Sequence, residues 1–160
     1  MRGTVQVNRY LIERDIPHEF FRLEGMVHTA FDIPGVLGLQ PGEVVAVRGF
    51  EYRNKVLLAL TGMDLEPSPD LVAEAARMPK VRASRPSAVS RITGYPAEWS
   101  PPVGHERAAT ILVDKNVLTH EVVYAPAGEP SVVLKIRSED LVRATGATPV
   151  LLGELRAIGS

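Results

Sequence analysis

Four histidines, His18, His28, His105 and His120, are the side chains of this 160-residue chain best suited to exchange protons near neutral pH. His18 adjoins Pro17 at the start of a strand-like run, and His120 lies in a turn before another; both read as structural. His28 and His105 sit in loops marked by glycine and proline, where functional groups tend to collect. None of the spacings fits a zinc pattern such as HxxxH. The chain has no cysteine, which excludes disulfides, thiol nucleophiles and thiolate metal sites together. Ser100, His105 and Asp114 supply the residue types of a hydrolytic triad, but "EWSPP" does not resemble the GxSxG elbow that would present such a serine. Neither GxxxxGK(S/T) nor GxGxxG occurs, so nucleotide phosphates have no obvious cradle. The adjacent Glu139 and Asp140 fall in the first turn of an expected helix, where they complement its dipole. No metal and no cofactor is expected.

The most unusual stretch is "TGYPAEWSPPVGHE", from Thr93 to Glu106, which holds the only tryptophan. Its prolines fix φ and remove backbone donors, so neither a regular helix nor a strand can run through it. A loop stiffened in this way can hold N–H donors around a carbonyl or a phosphate. Trp99 has two readings: a plug sealing one end of the core, or an aromatic platform at the mouth of a pocket.

The elements that must position this loop are legible in outline. Val5–Arg14 reads as a short amphipathic helix ended by Pro17. "HEFFRLE" reads as a strand, and "HTAFDIPGVLGL" as irregular or weakly helical. "EVVAVRGF" and "KVLLAL" flank "EYRN" as a β-hairpin. "SPDLVAEAARM" is a helix with Ser68 as N-cap and Pro69 in its first turn. "VRAS" is a short strand and "RPSAVSRIT" a helix stopped by Gly94. After the tryptophan loop, "ATILVD", "HEVVYAPA" and "PSVVLKI" read as strands. "SEDLVRATGA" is a helix capped by Ser138 and stopped by Gly146, and the tail after Thr148 is expected to pack as a short apolar segment. Helices and hairpins mixed in this way indicate an α+β domain on a mixed sheet.

Apolar residues make up 45% of the chain and charged residues 23%, with a net charge of −1, a globular balance. The length suits one domain over residues 1–160. Near-neutral charge argues against a dedicated double-stranded DNA binder, though not against a partner offering a short nucleic-acid end. No run has the length of a membrane span or the pattern of a signal peptide, so no membrane partner and a cytoplasmic location are expected. Scarce Asn and Gln beside plentiful Arg and Pro fit a thermophilic source or a GC-rich genome.

"ITGYPAEWSPPVGHE" resembles the "TG…GG…PP.G" loop of the YbaK-like aminoacyl-tRNA deacylases, the family that includes the editing domain inserted in bacterial prolyl-tRNA synthetases. "LIERDIPHEFFRLE", "GLQPGEVVAVRGF" and "PAGEPSVVLKIRSEDLVRATGA" are similar to further landmarks of that family in the same order, so the resemblance spans roughly residues 8 to 148. It implies a mixed six- or seven-stranded sheet, curled into a partly open barrel and surrounded by helices. It also implies hydrolysis, in trans, of the ester joining a wrong amino acid to the 3′ acceptor end of a tRNA. The family's work is attributed to a lysine, to glycine backbone groups and to a water that the terminal ribose hydroxyl could activate. On this resemblance Gly104 and Gly128 would position the ester, with His28, Ser100 and Pro102 as further substrate contacts and His105 orienting water.

Two departures stand out. Ala46 occupies the position of the family lysine. Arg48, two residues on, faces the same side of the strand about 7 Å away and could reach back, or could simply cap the sheet edge. Lys135 is a second possible replacement. Glu98 and Trp99 stand where the family has a glycine pair, so the Trp99 loop is expected to form a pocket wall of altered specificity. Loss of the lysine also keeps open a catalytically inactive binding module of the same fold, recognising a tRNA end, a small aminoacyl-like ligand or a protein. Arg82, Arg85 and Arg91 could track an acceptor stem but read more readily as the solvated face of a helix.

Overall fold

A computed structural model describes residues 2–24 and 27–154, and the last part of the expected apolar tail, 155–160, lies outside the described residues. The chain is α+β. The helices are α1 (Thr4–Glu13), α2 (Ile33–Leu37), α3 (Pro69–Ala76), α4 (Pro86–Thr93) and α5 (Ser138–Thr145). The strands are β1 (His18–Arg22), β2 (Val45–Tyr52), β3 (Lys55–Gly62), β4 (Arg82–Ala83), β5 (Thr110–Asp114), β6 (Val122–Pro126), β7 (Val132–Arg137) and β8 (Pro149–Val150).

These strands form two sheets, β1-β7-β6 and β4-β2-β3-β5-β8. The single six- or seven-stranded sheet implied by the resemblance is therefore divided here, and a parallel bridge between Val44 and Tyr124 links the halves. The first sheet is antiparallel throughout; in the second, β3–β5 and β5–β8 run parallel. Between the sheets lies the main core, with Val45, Leu60, Val113, Val123, Leu134 and Leu141 all buried.

Local signals explain most boundaries. Ser68 accepts a hydrogen bond from Leu71 N at 3.3 Å, with Pro69 opening α3 as its fixed φ allows. Gly94 (φ 84°) and Gly146 (φ 68°) end α4 and α5 in the left-handed conformation. His18 is structural: its Nδ1 donates to the Ile16 carbonyl at 2.7 Å and its Nε2 meets the Asn8 side-chain amide at 2.7 Å, tying β1 to α1. Ser138 is not the N-cap of α5. Arg137 holds that position, and the buried Ser138 hydroxyl reaches across to the carbonyls of His120 and Glu121. The tail pairs with β5 as β8 and buries Leu152 against α3 and β3.

Candidate functional site

Strand β2 places the site. One side of it pairs with β3 along its whole length, from Val45–Gly62 to Tyr52–Lys55. On the other side β4 covers only Phe50 and Glu51. Between the Val44–Tyr124 bridge and β4 this side of β2 has no strand partner among the described residues, and it is bounded by α4, by the 3-10 turn Ala30–Asp32 and by the tryptophan loop. A cleft of about 750 Å³ runs along this edge, lined by Ala46, Arg48, Phe31, Glu66, Trp99 and Ser100 among others.

Arg48 is the cation of the cleft, with its side chain 23% exposed. Its Nη2 donates to the Leu65 carbonyl at 3.4 Å, its Nη1 lies 3.7 Å from Glu66 Oε2, and the guanidinium stands 5.3 Å from the centre of the Phe31 ring. A guanidinium has five N–H donors in a fixed fork, so a head oriented in this way can still meet a phosphate, a carboxylate or a developing oxyanion. Ala46, on the same face of β2, is buried and directly opposite Thr61. The Thr61 hydroxyl is buried and has no hydrogen-bond partner among the described residues.

The tryptophan loop forms the facing wall, where one 3-10 turn, Ala97–Trp99, sits among the prolines. Of the two readings of Trp99, burial matches the plug. Its ring is buried in a second core with Leu23, Ile33, Val44 and Val133, and it also lines the cleft. Ser100 is buried beneath the loop, its hydroxyl 3.1 Å from Thr93 Oγ1 and donating to the Pro96 carbonyl at 3.1 Å.

The other sequence candidates lie elsewhere. Gly128 (φ 93°) is not on the cleft surface; it donates its N–H to the Trp99 carbonyl at 2.8 Å and so holds the wall from behind. Gly104 (φ 77°) and His105 line a different cavity of about 300 Å³, with Tyr10 and Ala144. His105 Nε2 donates to the Pro101 carbonyl at 2.7 Å. A carbonyl only accepts, so the proton sits on Nε2. Burial pushes this imidazole below the usual histidine range, against the pull of the Pro101 bond, and the charge of Arg2 lowers it further. Pro102 is buried, and His28 donates its backbone N–H to Asp32 Oδ2 at 2.9 Å. Lys135 pairs with Glu19 at 3.7 Å on the other sheet.

Three residues escaped the sequence reading. Tyr95 is fully buried and donates its hydroxyl to the Gly104 carbonyl at 3.0 Å, forming an internal post for the loop. Phe31 and Glu66 flank Arg48 from segments far apart in sequence, and no local pattern announces that meeting. Among the described residues no group of His, Asp and Glu could hold a metal ion, and no helix is long and apolar enough to cross a membrane.

A family model described as an aminoacyl-tRNA editing domain matches residues 27–144. Among solved structures, the hypothetical protein APE2540 is 25% identical, with a TM-score of 0.85 over 93% of this chain and 99% of that one. A protein solved as "a putative trans-editing enzyme for prolyl tRNA synthetase" is 22% identical, with a TM-score of 0.83 over 96% of this chain and 98% of that one. A larger protein from Marinobacter aquaeolei VT8, solved as a "Putative signal transduction protein", matches at 16% identity and a TM-score of 0.69; the match covers 92% of this chain but 30% of that one. No curated protein matches the chain.

Proposed function

The chain belongs to the aminoacyl-tRNA editing domain family, and we propose that it acts in trans as a deacylase, hydrolysing the ester of a mischarged tRNA whose 3′ end enters the Arg48 cleft. The observation that carries this reading is the guanidinium itself. It stands in a cleft shared by Ala46 and the tryptophan loop, where the substrate's terminal phosphate or ribose, or the reacting carbonyl, needs a positive partner.

An aminoacyl ester is already activated, so the site need only position water and stabilise charge. The water oxygen attacks the ester carbonyl carbon and the carbonyl oxygen gains negative charge. As the carbonyl re-forms, the bond to the ribose oxygen breaks, and that oxygen takes up the proton that the attacking water gives up. The products are a free amino acid and a tRNA with a free terminal hydroxyl. Arg48 supplies the positive partner, and Glu66 and the Leu65 carbonyl orient it. Phe31, Met63, Val89 and Trp99 give the walls an apolar character that suits an uncharged aminoacyl side chain. His105, Gly104 and Gly128 have no substrate contact in this scheme; Gly128 acts through Trp99.

Ala46 favours a second reading, because the methyl group there lacks the charge of the family lysine, and an inactive binding module would have the same shape. Release of labelled amino acid from a panel of mischarged tRNAs separates the two. The deacylase releases at least one amino acid faster than buffer does. Folded protein that binds RNA and releases none is the binding module.

A further inference from the structure

The cleft does not end at helix α4. Across that helix, sharing Ser87 with the cleft, a groove of about 680 Å³ is lined by Arg53, Arg82, Arg85, Arg91 and Arg107. It runs on into a depression of about 530 Å³ that shares Glu51, Arg53 and Arg82 with it and adds Lys80. These cations come from the β2–β3 turn (Arg53), the approach to β4 and β4 itself (Lys80, Arg82), the N-cap and body of α4 (Arg85, Arg91) and the segment before β5 (Arg107), and the fold brings them to one surface. All six are exposed, and the one carboxylate among them, Glu51, accepts from Arg82 Nε at 2.9 Å. In a chain whose net charge is −1 this is a marked concentration of positive charge.

The layout indicates what would fit. A small anion is held by buried donors converging on one point, whereas these side chains are solvated and spread along a path. Guanidinium forks spaced along a path suit successive phosphates of a polymer. Among the described residues the only aromatic ring lining the path is Tyr52, with the Arg53 guanidinium 5.4 Å from its ring centre, so there is little surface for reading bases. We propose that this arginine groove binds the sugar–phosphate backbone of an RNA stem, with little regard to sequence, and leads its 3′ strand past Ser87 into the Arg48 cleft. The destination of the 3′ strand rests on the deacylase reading; the affinity of the groove for RNA does not.

The test is fluorescence anisotropy of a short, uncharged RNA stem-loop with a single-stranded 3′ overhang, titrated at several salt concentrations. The proteins are the wild type and a combined Arg85→Ala, Arg91→Ala, Arg107→Ala variant, whose thermal transition checks that it is folded. Each lost phosphate contact removes about 0.7 to 0.9 from the slope of log K against log salt. The triple variant is therefore expected to lose about 2 to 3 from that slope and to bind at least about tenfold more weakly near physiological salt. A second stem of unrelated sequence is expected to bind alike. Unchanged affinity and slope in the folded variant overturn the proposal and return these arginines to solvent. Heparin binding as tight as RNA binding overturns it too, because the groove would then be a general anion patch. Absence of turnover with intact, variant-sensitive RNA binding contradicts the deacylase reading alone. Turnover of mischarged tRNA beside RNA binding that ignores the triple variant contradicts the groove alone.

Discussion

Gly128 donates its N–H to the carbonyl oxygen of Trp99 at 2.8 Å, and this bond anchors the wall of the cleft to the end of β6. Gly128 has φ 93°, and a Cβ there would fall 2.7 Å from the Tyr95 ring. A side chain therefore meets both backbone strain and an aromatic ring that has no room to retreat. Gly128→Ala is expected to cost about 2–4 kcal/mol, read as a lower urea midpoint, and to loosen Trp99, read in its fluorescence. A midpoint within experimental error of wild type would mean that Tyr95 yields easily and that the loop is less rigid than its prolines imply.

Trp99 holds the second core as well as the cleft, so its removal should be felt globally. Trp99→Ala is expected to cost about 3–5 kcal/mol, as large aromatic truncations in cores do, whereas Trp99→Phe keeps most of the packing with Leu23, Ile33 and Val133. If both variants are as stable as wild type in chemical denaturation, the ring is a surface platform and not part of the core.

Thr61 offers a test in the opposite direction. Its hydroxyl is buried with no hydrogen-bond partner among the described residues, directly across the ladder from Ala46. Replacement by the isosteric Thr61→Val removes an unsatisfied polar group and is expected to be neutral or stabilising by about 1 kcal/mol. A variant that instead loses RNA or substrate binding while remaining folded would show that the hydroxyl belongs to the ligand site.

His105 gives the fold a pH dependence of definite sign. Burial depresses its pKa in the folded state, so between the folded value and the ordinary one near 6.5 the unfolded chain binds more protons. The contribution of His105 is then complete above the ordinary histidine value and is lost as pH falls below it. Tm is expected to drop through that window in the wild type and to drop less in His105→Gln. Equal slopes in the two proteins would remove His105 from the account of stability.

Much of this was legible in the sequence where signals are local. Ser68 and Pro69 announce α3, Gly94 and Gly146 mark the ends of α4 and α5, and β-rich apolar runs on either side of the polar "EYRN" give the β2–β3 hairpin. Ser138 shows the limit of such signals, because a serine ahead of a helical run reads as a cap until a distant carbonyl, here that of His120, competes for its hydroxyl. Likewise the expected single sheet divides, because strand partners are chosen by long-range packing. Of the residues that line the cleft, Arg48, Ala46, Trp99 and Ser100 could be named in advance because one strand and one loop carry them. Phe31 and Glu66 could not be placed, and of the arginines across α4 only Arg82, Arg85 and Arg91 could be named, as a possible track read more readily as a solvated face; Arg53 and Arg107 join them only in the folded chain.

The most direct test concerns Arg48, the one Lys or Arg lining the cleft among the described residues. Single-turnover deacylation of the mischarged tRNA that the wild type hydrolyses would be compared with Arg48→Ala and Arg48→Lys, each verified by its thermal transition. If Arg48 holds the substrate or stabilises the developing charge, Arg48→Ala loses about 10²–10³ in rate, and Arg48→Lys recovers part of that loss by restoring the charge without the fork. Deacylation by Arg48→Ala at the wild-type rate would contradict the assignment of Arg48 and place the chemistry outside this cleft.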